Sequence, residues 1–128
     1  MPLKDRERRR VYHRNYLRER YQKDPAYRQR HQDIARISDA KRKRETAAVI
    51  ATFKSNGCAL CVEREQCCLQ AHHLNPGSKD FDIGDRGKMS AARVARELAK
   101  CICLCASCHI KLHAGLVVLP VPSTNAAA

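Results

Sequence analysis

The chain of 128 residues contains no tryptophan, two phenylalanines and four tyrosines. All four tyrosines (Tyr12, Tyr16, Tyr21 and Tyr27) lie near the N-terminus. The remainder cannot build its core from large aromatic side chains. A short region of that kind gains little from burial alone and needs a staple, either a disulfide or a metal. A second absence is of long apolar runs. Nothing approaches the ~18 consecutive apolar residues of a membrane-crossing helix, and Met1 to Arg10 lacks the apolar stretch of a secretory signal. A cytoplasmic location with no membrane partner is therefore expected. Thiols stay reduced there, and paired cysteines read as metal ligands before disulfides.

What is abundant is positive charge and sulfur. Residues 1–50 hold 16 Lys/Arg against 7 Asp/Glu, a net +9, and the rest of the chain is near neutral at +3. A one-sided, arginine-rich excess points to a polyanion, because Lys and Arg displace counterions from phosphates. The competing reading is a solvated charged helix. Arg10, Arg14 and Arg18 recur every four residues, and Lys41-Arg42-Lys43-Arg44 forms a basic block. These are the candidate nucleic-acid contacts, and Lys100 is a further cation of the second half. All eight cysteines and four of the six histidines fall between Cys58 and His113.

Periodicity predicts a charged helix over 4–23 with almost no core face. Asp24-Pro25 is a good N-cap and first-turn pair for a second helix to about Ser55, with Ala47 to Phe53 apolar enough to dock and Asn56-Gly57 as its stop. Cys58 to Cys61 reads as a tight turn. Cys67 to Ala71 reads as a short strand leading into His72-His73, and 78–89 as loop. Ser90 caps a helix through Lys100 that places Val94, Leu98 and Cys101 on one face. Cys101 to Leu104 is strand-like, a last helix spans Ala106 to Ala114, and Leu116 to Ala128 is a frayed tail.

Cys58-x-x-Cys61 and Cys105-x-x-Cys108 carry the strongest chemical signal. A two-residue gap lets both thiolates of a turn face one zinc, and two such turns complete a tetrahedron. A pair of disulfides, a redox Cys-x-x-Cys and buried free thiols compete with this reading. Cys67, Cys68, Cys101 and Cys103 lack paired spacing and are expected as core thiols. His109 and His113, four apart on one helix, point the same way, as ligands of one metal do. His72 and His73 diverge at a strand end, so one can ligate while the other faces substrate. Three neutral histidines leave a coordination position open, the pattern of catalytic sites; a plain zinc fold using all four histidines is the alternative.

The stretch 54–115 resembles the HNH endonucleases of the ββα-metal class, in the zinc-stapled subtype common among phage and mobile-element nucleases. The features that carry the resemblance are Cys58-x-x-Cys61, His72-His73-Leu-Asn-Pro76, Lys79-Asp-Phe81 with Ile83, Glu97-Leu-Ala-Lys100, and Leu104-Cys-x-x-Cys-His109-x-x-x-His113. It implies an α+β fold with a small ββα-metal module at 54–115 and a four-cysteine zinc site; charge and residue pattern add a basic helical DNA-binding arm at 1–53 and a flexible tail at 116–128. It further implies His72, His109 and His113 as ligands of a catalytic divalent ion (Mg²⁺, Mn²⁺, Ni²⁺ or Zn²⁺) and His73 as the general base. Cys58, Cys61, Cys105 and Cys108 would hold structural Zn²⁺. The family's middle Asn falls at Lys100, which would touch a phosphate or face solvent. The expected activity is hydrolysis of DNA phosphodiester bonds, in the host cytoplasm if the chain is phage-encoded. A second copy of the chain, to cut both strands, and phage packaging proteins join DNA as expected partners. The competing function is a non-catalytic zinc-dependent DNA-binding protein or an accessory factor of packaging or recombination.

Overall fold

A computed structural model describes residues 3–120. The chain combines helices with one small sheet, an α+β arrangement. It separates into two compact units, Met1–Lys41 and Arg42–Ala128. Among the described residues no helix is long and apolar enough to cross a membrane.

The first unit contains helix α1 (Leu3–Lys23) and the start of α2 (Pro25–Lys54). No described side chain of this unit is buried, as expected of helices with no apolar stripe. Local contacts organise the joint between the helices. The Asp24 carboxylate accepts from the Tyr27 backbone N–H at 3.0 Å, which caps the new helix. Arg28 donates back to the carbonyls of Tyr21 and Gln22, satisfying the open C-terminus of α1. The Arg20 guanidinium lies 4.4 Å from the Tyr27 ring centre.

The second unit begins inside α2, so residues 42–53, assigned to the arm on sequence, belong to the module. Thr46 is buried there and Phe53 packs on the core. The helix ends at Lys54, and Gly57 follows with φ of +77°. Only glycine fits comfortably, because a Cβ at this position would stand 2.8 Å from the Glu63 carbonyl oxygen. The chain then folds back, with the Cys58 N–H donating to Glu63 O and the Ala59 N–H to Cys103 O.

Strand β1 (Leu69–His73) pairs antiparallel with β2 (Cys101–Cys105), with Leu69 opposite Cys105 and His73 opposite Cys101. Between them lie an irregular loop and helix α3 (Ala91–Leu98), started by Ser90, whose hydroxyl accepts from the Arg93 N–H. Helix α4 (Ala106–His113) follows β2 without a linker. Cys58, Leu69, Cys103, Leu104, Cys105 and Cys108 form the core cluster, with Phe53, Leu60, Ile102, Leu112 and Leu119 packed around it.

Three expectations are corrected here. Cys67 is exposed, and Cys67 and Cys68 sit in a 3-10 turn (Gln66–Cys68) before the strand. Only Cys103 of the four expected core thiols is buried, while Cys68 and Cys101 are half-buried. Leu119, expected in a frayed tail, packs on the core, an apolar contact that its isolated position beyond the last helix did not advertise. The remainder of that tail, 121–128, lies outside the described residues.

Candidate metal centres

Helix α4 contributes to two separate clusters of metal-ligating atoms. In the first, the sulfurs of Cys58, Cys61, Cys105 and Cys108 all lie within 4.8 Å of one another. Cys61 Sγ and Cys105 Sγ are 3.6 Å apart, far too long for a disulfide. It is close to the ~3.8 Å edge of a tetrahedron with ~2.3 Å bonds to zinc. The four cysteines could hold a metal ion such as zinc. Two backbone N–H groups aim at this cluster, from Leu60 to Cys58 Sγ and from Cys108 to Cys105 Sγ, each at 3.4 Å. The second of these also makes Cys105 the N-cap of α4, so ligand placement and helix initiation are one event.

The thiols of this cluster are split electrostatically. Burial pushes the Cys58 thiol up, but hydrogen bonds from the backbone of Cys105 and Leu60 and from Cys61 outweigh it and bring it down to about 6. The hydrogen bond with Cys105, then burial and the neighbouring sulfurs, push Cys108 up to about 12. For Cys61, a backbone hydrogen bond from Glu63 pulls downward, yet desolvation and the sulfurs of Cys105 and Cys58 leave it raised.

In the second cluster, His72 comes from β1, and His109 and His113 come from one face of α4. His72 Nδ1 lies 3.1 Å from His109 Nε2, and His113 Nε2 lies 3.0 Å from the same atom. These separations approach the ~3.4 Å edge expected for three nitrogens on one ion with ~2.1 Å bonds. Gln70 Oε1 lies 2.7 Å from His109 Nδ1. A carbonyl oxygen only accepts, so Nδ1 carries the proton and the Nε2 lone pair faces the other two rings. Burial, then the charges of His109 and His113, hold His72 below the usual imidazole range. Burial, then His113, does the same to His109. Neutral rings of this kind are in the ligand form. The donor set therefore fits a divalent ion and provides three ligands where the cysteine cluster provides four.

His73 turns away from the cluster. Its Nε2 lies 2.7 Å from Glu97 Oε1. Glu97 is only 1% exposed and also accepts from the Asp80 backbone N–H at 3.0 Å and from Lys100 Nζ at 2.8 Å. The Lys100 hydrogen bond, aided by the Asp80 N–H and His73 against the effect of burial, holds the Glu97 carboxyl down at about 2. Lys100 donates further to Ser78 O and to Asp80 Oδ2. Three acceptors within the chain thus match its three N–H donors, with the side chain still 30% exposed. Lys100, expected to touch a phosphate or face solvent, bridges the 78–80 loop and Glu97 in this structure.

His72, His73, His109 and His113 line one cleft of about 310 Å³, together with Ala71, Pro76, Lys79 and Asp82. Of the expected nucleic-acid contacts, Arg10, Arg14 and Arg18 are exposed on α1, and Lys41, Lys43 and Arg44 are exposed on α2. Arg42 and Lys43 also line a surface hollow of the second unit with Arg86. Glu97 and Gln70 are the site residues to which sequence reasoning gave no role. Glu97 does fall on the Val94–Leu98–Cys101 stripe, and a carboxylate on an apolar stripe was the available signal. No family model, curated protein or solved structure matches the chain.

Proposed function

We propose that the chain is a metal-dependent DNA endonuclease of the HNH type, a small ββα-metal module stapled by zinc on its four cysteines. The observation that carries this reading is the cleft, where a three-histidine cluster, open to a further ligand, sits beside a histidine outside that cluster. His73 belongs to neither metal cluster, and a purely structural zinc fold would need it only as a partner of Glu97. In this reading His72, His109 and His113 hold a divalent ion. When bound, that ion supplies Lewis acidity for the scissile phosphate and the leaving 3′ oxygen. His73 takes the proton of the attacking water, the task for which a histidine is suited near neutral pH. Lys79 lines the same cleft, ion-paired with Asp82 on its wall, and would have to exchange that partner to reach a phosphate. The four cysteines fix the start of α4 and thereby aim His109 and His113. The basic residues of α1 and α2 bring DNA to the protein through its phosphates.

The test is incubation of the purified protein with supercoiled plasmid and added Mg²⁺, Mn²⁺, Ni²⁺ or Zn²⁺. Nicked or linear product should depend on added metal, and His73→Ala should lower the rate by roughly 10²- to 10⁴-fold without loss of bound zinc. Equal rates in both proteins would remove His73 from the mechanism. Absence of cleavage with every metal would favour the non-catalytic DNA-binding reading.

A further inference from the structure

The Glu97 network lies beside the proposed metal centre and has no part in metal binding. Three donors converge on one buried carboxylate: the Asp80 N–H, the Lys100 ammonium and His73 Nε2. An ionised carboxylate can only accept, so the hydrogen on the His73 contact belongs to the imidazole. That fixes the ring. With Nε2–H bound to Glu97, the lone pair of the neutral imidazole resides on Nδ1. The carboxylate is itself immobilised, because Lys100 ties it to Ser78 O and Asp80 Oδ2 on the loop that covers it. The His73 side chain is 10% exposed and that of Glu97 is 1% exposed, so water does not compete freely for this hydrogen bond.

We infer that Glu97 is the positioning residue of His73, locking its imidazole as the Nε2–H tautomer and making Nδ1 the nitrogen that accepts the proton of the attacking water. Lys100, at the position where the motif expects Asn, and the Asp80 N–H hold Glu97 in place. The inference rests on the reading of His73 as general base. Its physical logic is that of any base held by a buried carboxylate. The carboxylate selects the tautomer and orientation, and it stabilises the imidazolium formed when the proton is taken. Glu97 touches neither substrate nor metal.

The test has two arms. Long-range proton–nitrogen NMR of the zinc-loaded, nitrogen-labelled protein reads the tautomer of His73 directly and needs no variant. The expected result is protonation at Nε2 in the wild-type protein and a mixed population in Glu97→Gln. In plasmid cleavage, Glu97→Gln should lower kcat by roughly 10²- to 10⁴-fold with KM and the zinc content of the cysteine cluster unchanged. Glu97→Asp, which keeps a shorter carboxylate, should recover part of that loss. A purely structural role for Glu97 would instead show as lost zinc or a raised KM. Protonation of wild-type His73 at Nδ1, or a Glu97→Gln kcat within about twofold of wild type, would overturn the inference. A wild-type protein with the expected tautomer but no cleavage would support the Glu97–His73 coupling and sink the nuclease reading, so the two failures are distinguishable.

Discussion

The four-cysteine and three-histidine clusters share helix α4, with Cys105 and Cys108 at its start and His109 and His113 further along one face. Their surroundings differ in every respect that matters chemically. Three of the four cysteines are buried in the core, and two of these, Cys58 and Cys105, receive backbone N–H groups. The histidines line a cleft, half-buried or exposed, and their nearest polar support is a side chain, Gln70. Four ligands close a tetrahedron and three leave a position open. One helix thus carries part of a four-cysteine cluster that could close around a metal ion and, within a few residues, part of a three-histidine cluster that would leave a position open. The difference is set by ligand number and access rather than by ligand strength.

The largest effect should come from breaking the closed site. Cys108→Ser removes one of four ligands from the core itself, and structural zinc contributes about 10–16 kcal/mol in small domains. Residues 42–120 should lose cooperative unfolding at 37 °C, read by circular dichroism melts. His113→Ala at the open site should leave the melt nearly unchanged. If the two variants melt alike, the division of labour between the clusters is wrong.

Protons should separate the clusters next. Cys61 and Cys108 hold their protons above the usual thiol range in the metal-free cluster, so metal must displace both. Each displaced proton makes affinity rise tenfold per pH unit, giving at least about 100-fold per unit near pH 7 from these two. His72 and His109 lie below the usual imidazole range, so neither has a proton to lose above pH 7. Competition titrations with a chromophoric chelator at pH 7 and 8 should find a steep dependence for the cysteine site and a shallow one for the histidine site. Equal slopes would contradict the assigned protonation states.

A smaller effect concerns the support around the open site. Gln70→Ala frees the His109 ring to rotate and to change tautomer, and such outer hydrogen bonds are worth about 10- to 100-fold in metal affinity. Calorimetric titration of Mn²⁺ or Ni²⁺ should register the loss, with the cysteine-bound zinc unaffected. The smallest expected effect lies at the closed site's entrance. Gly57→Ala forces a side chain into a left-handed turn and against the Glu63 carbonyl, a strain of about 1–3 kcal/mol, visible in denaturant unfolding. An unchanged midpoint would mean that the turn before Cys58 relaxes freely.

Much of this arrangement was legible in the sequence because it is written in short-range spacing. The two Cys-x-x-Cys pairs, the i, i+4 pair His109/His113, the Asp24-Pro25 and Ser90 helix starts and the Asn56-Gly57 stop are all local devices. Each stands in the fold where its spacing placed it. What escaped was non-local. Glu97 followed by Lys100 reads as an ordinary solvated i, i+3 pair until the 78–80 loop and His73 close over it. Gln70 has no local partner at all, since His109 reaches it only through strand pairing. Cys67 and Cys68 look like strand-core residues by apolarity, but pairing of the two strands starts at Leu69 and leaves Cys67 outside. The docking of Leu119 depends on a hollow that no linear pattern announces.

The central claim is that one helix serves two inequivalent metal sites, and native mass spectrometry of the purified chain tests it most directly. After exchangeable ions are stripped with a mild chelator, one zinc per chain should remain, and Mn²⁺ or Ni²⁺ should then add a single further ion that disappears in the His109→Ala/His113→Ala variant while the zinc stays. Two zinc ions of equal tenacity, or none retained, would contradict the account.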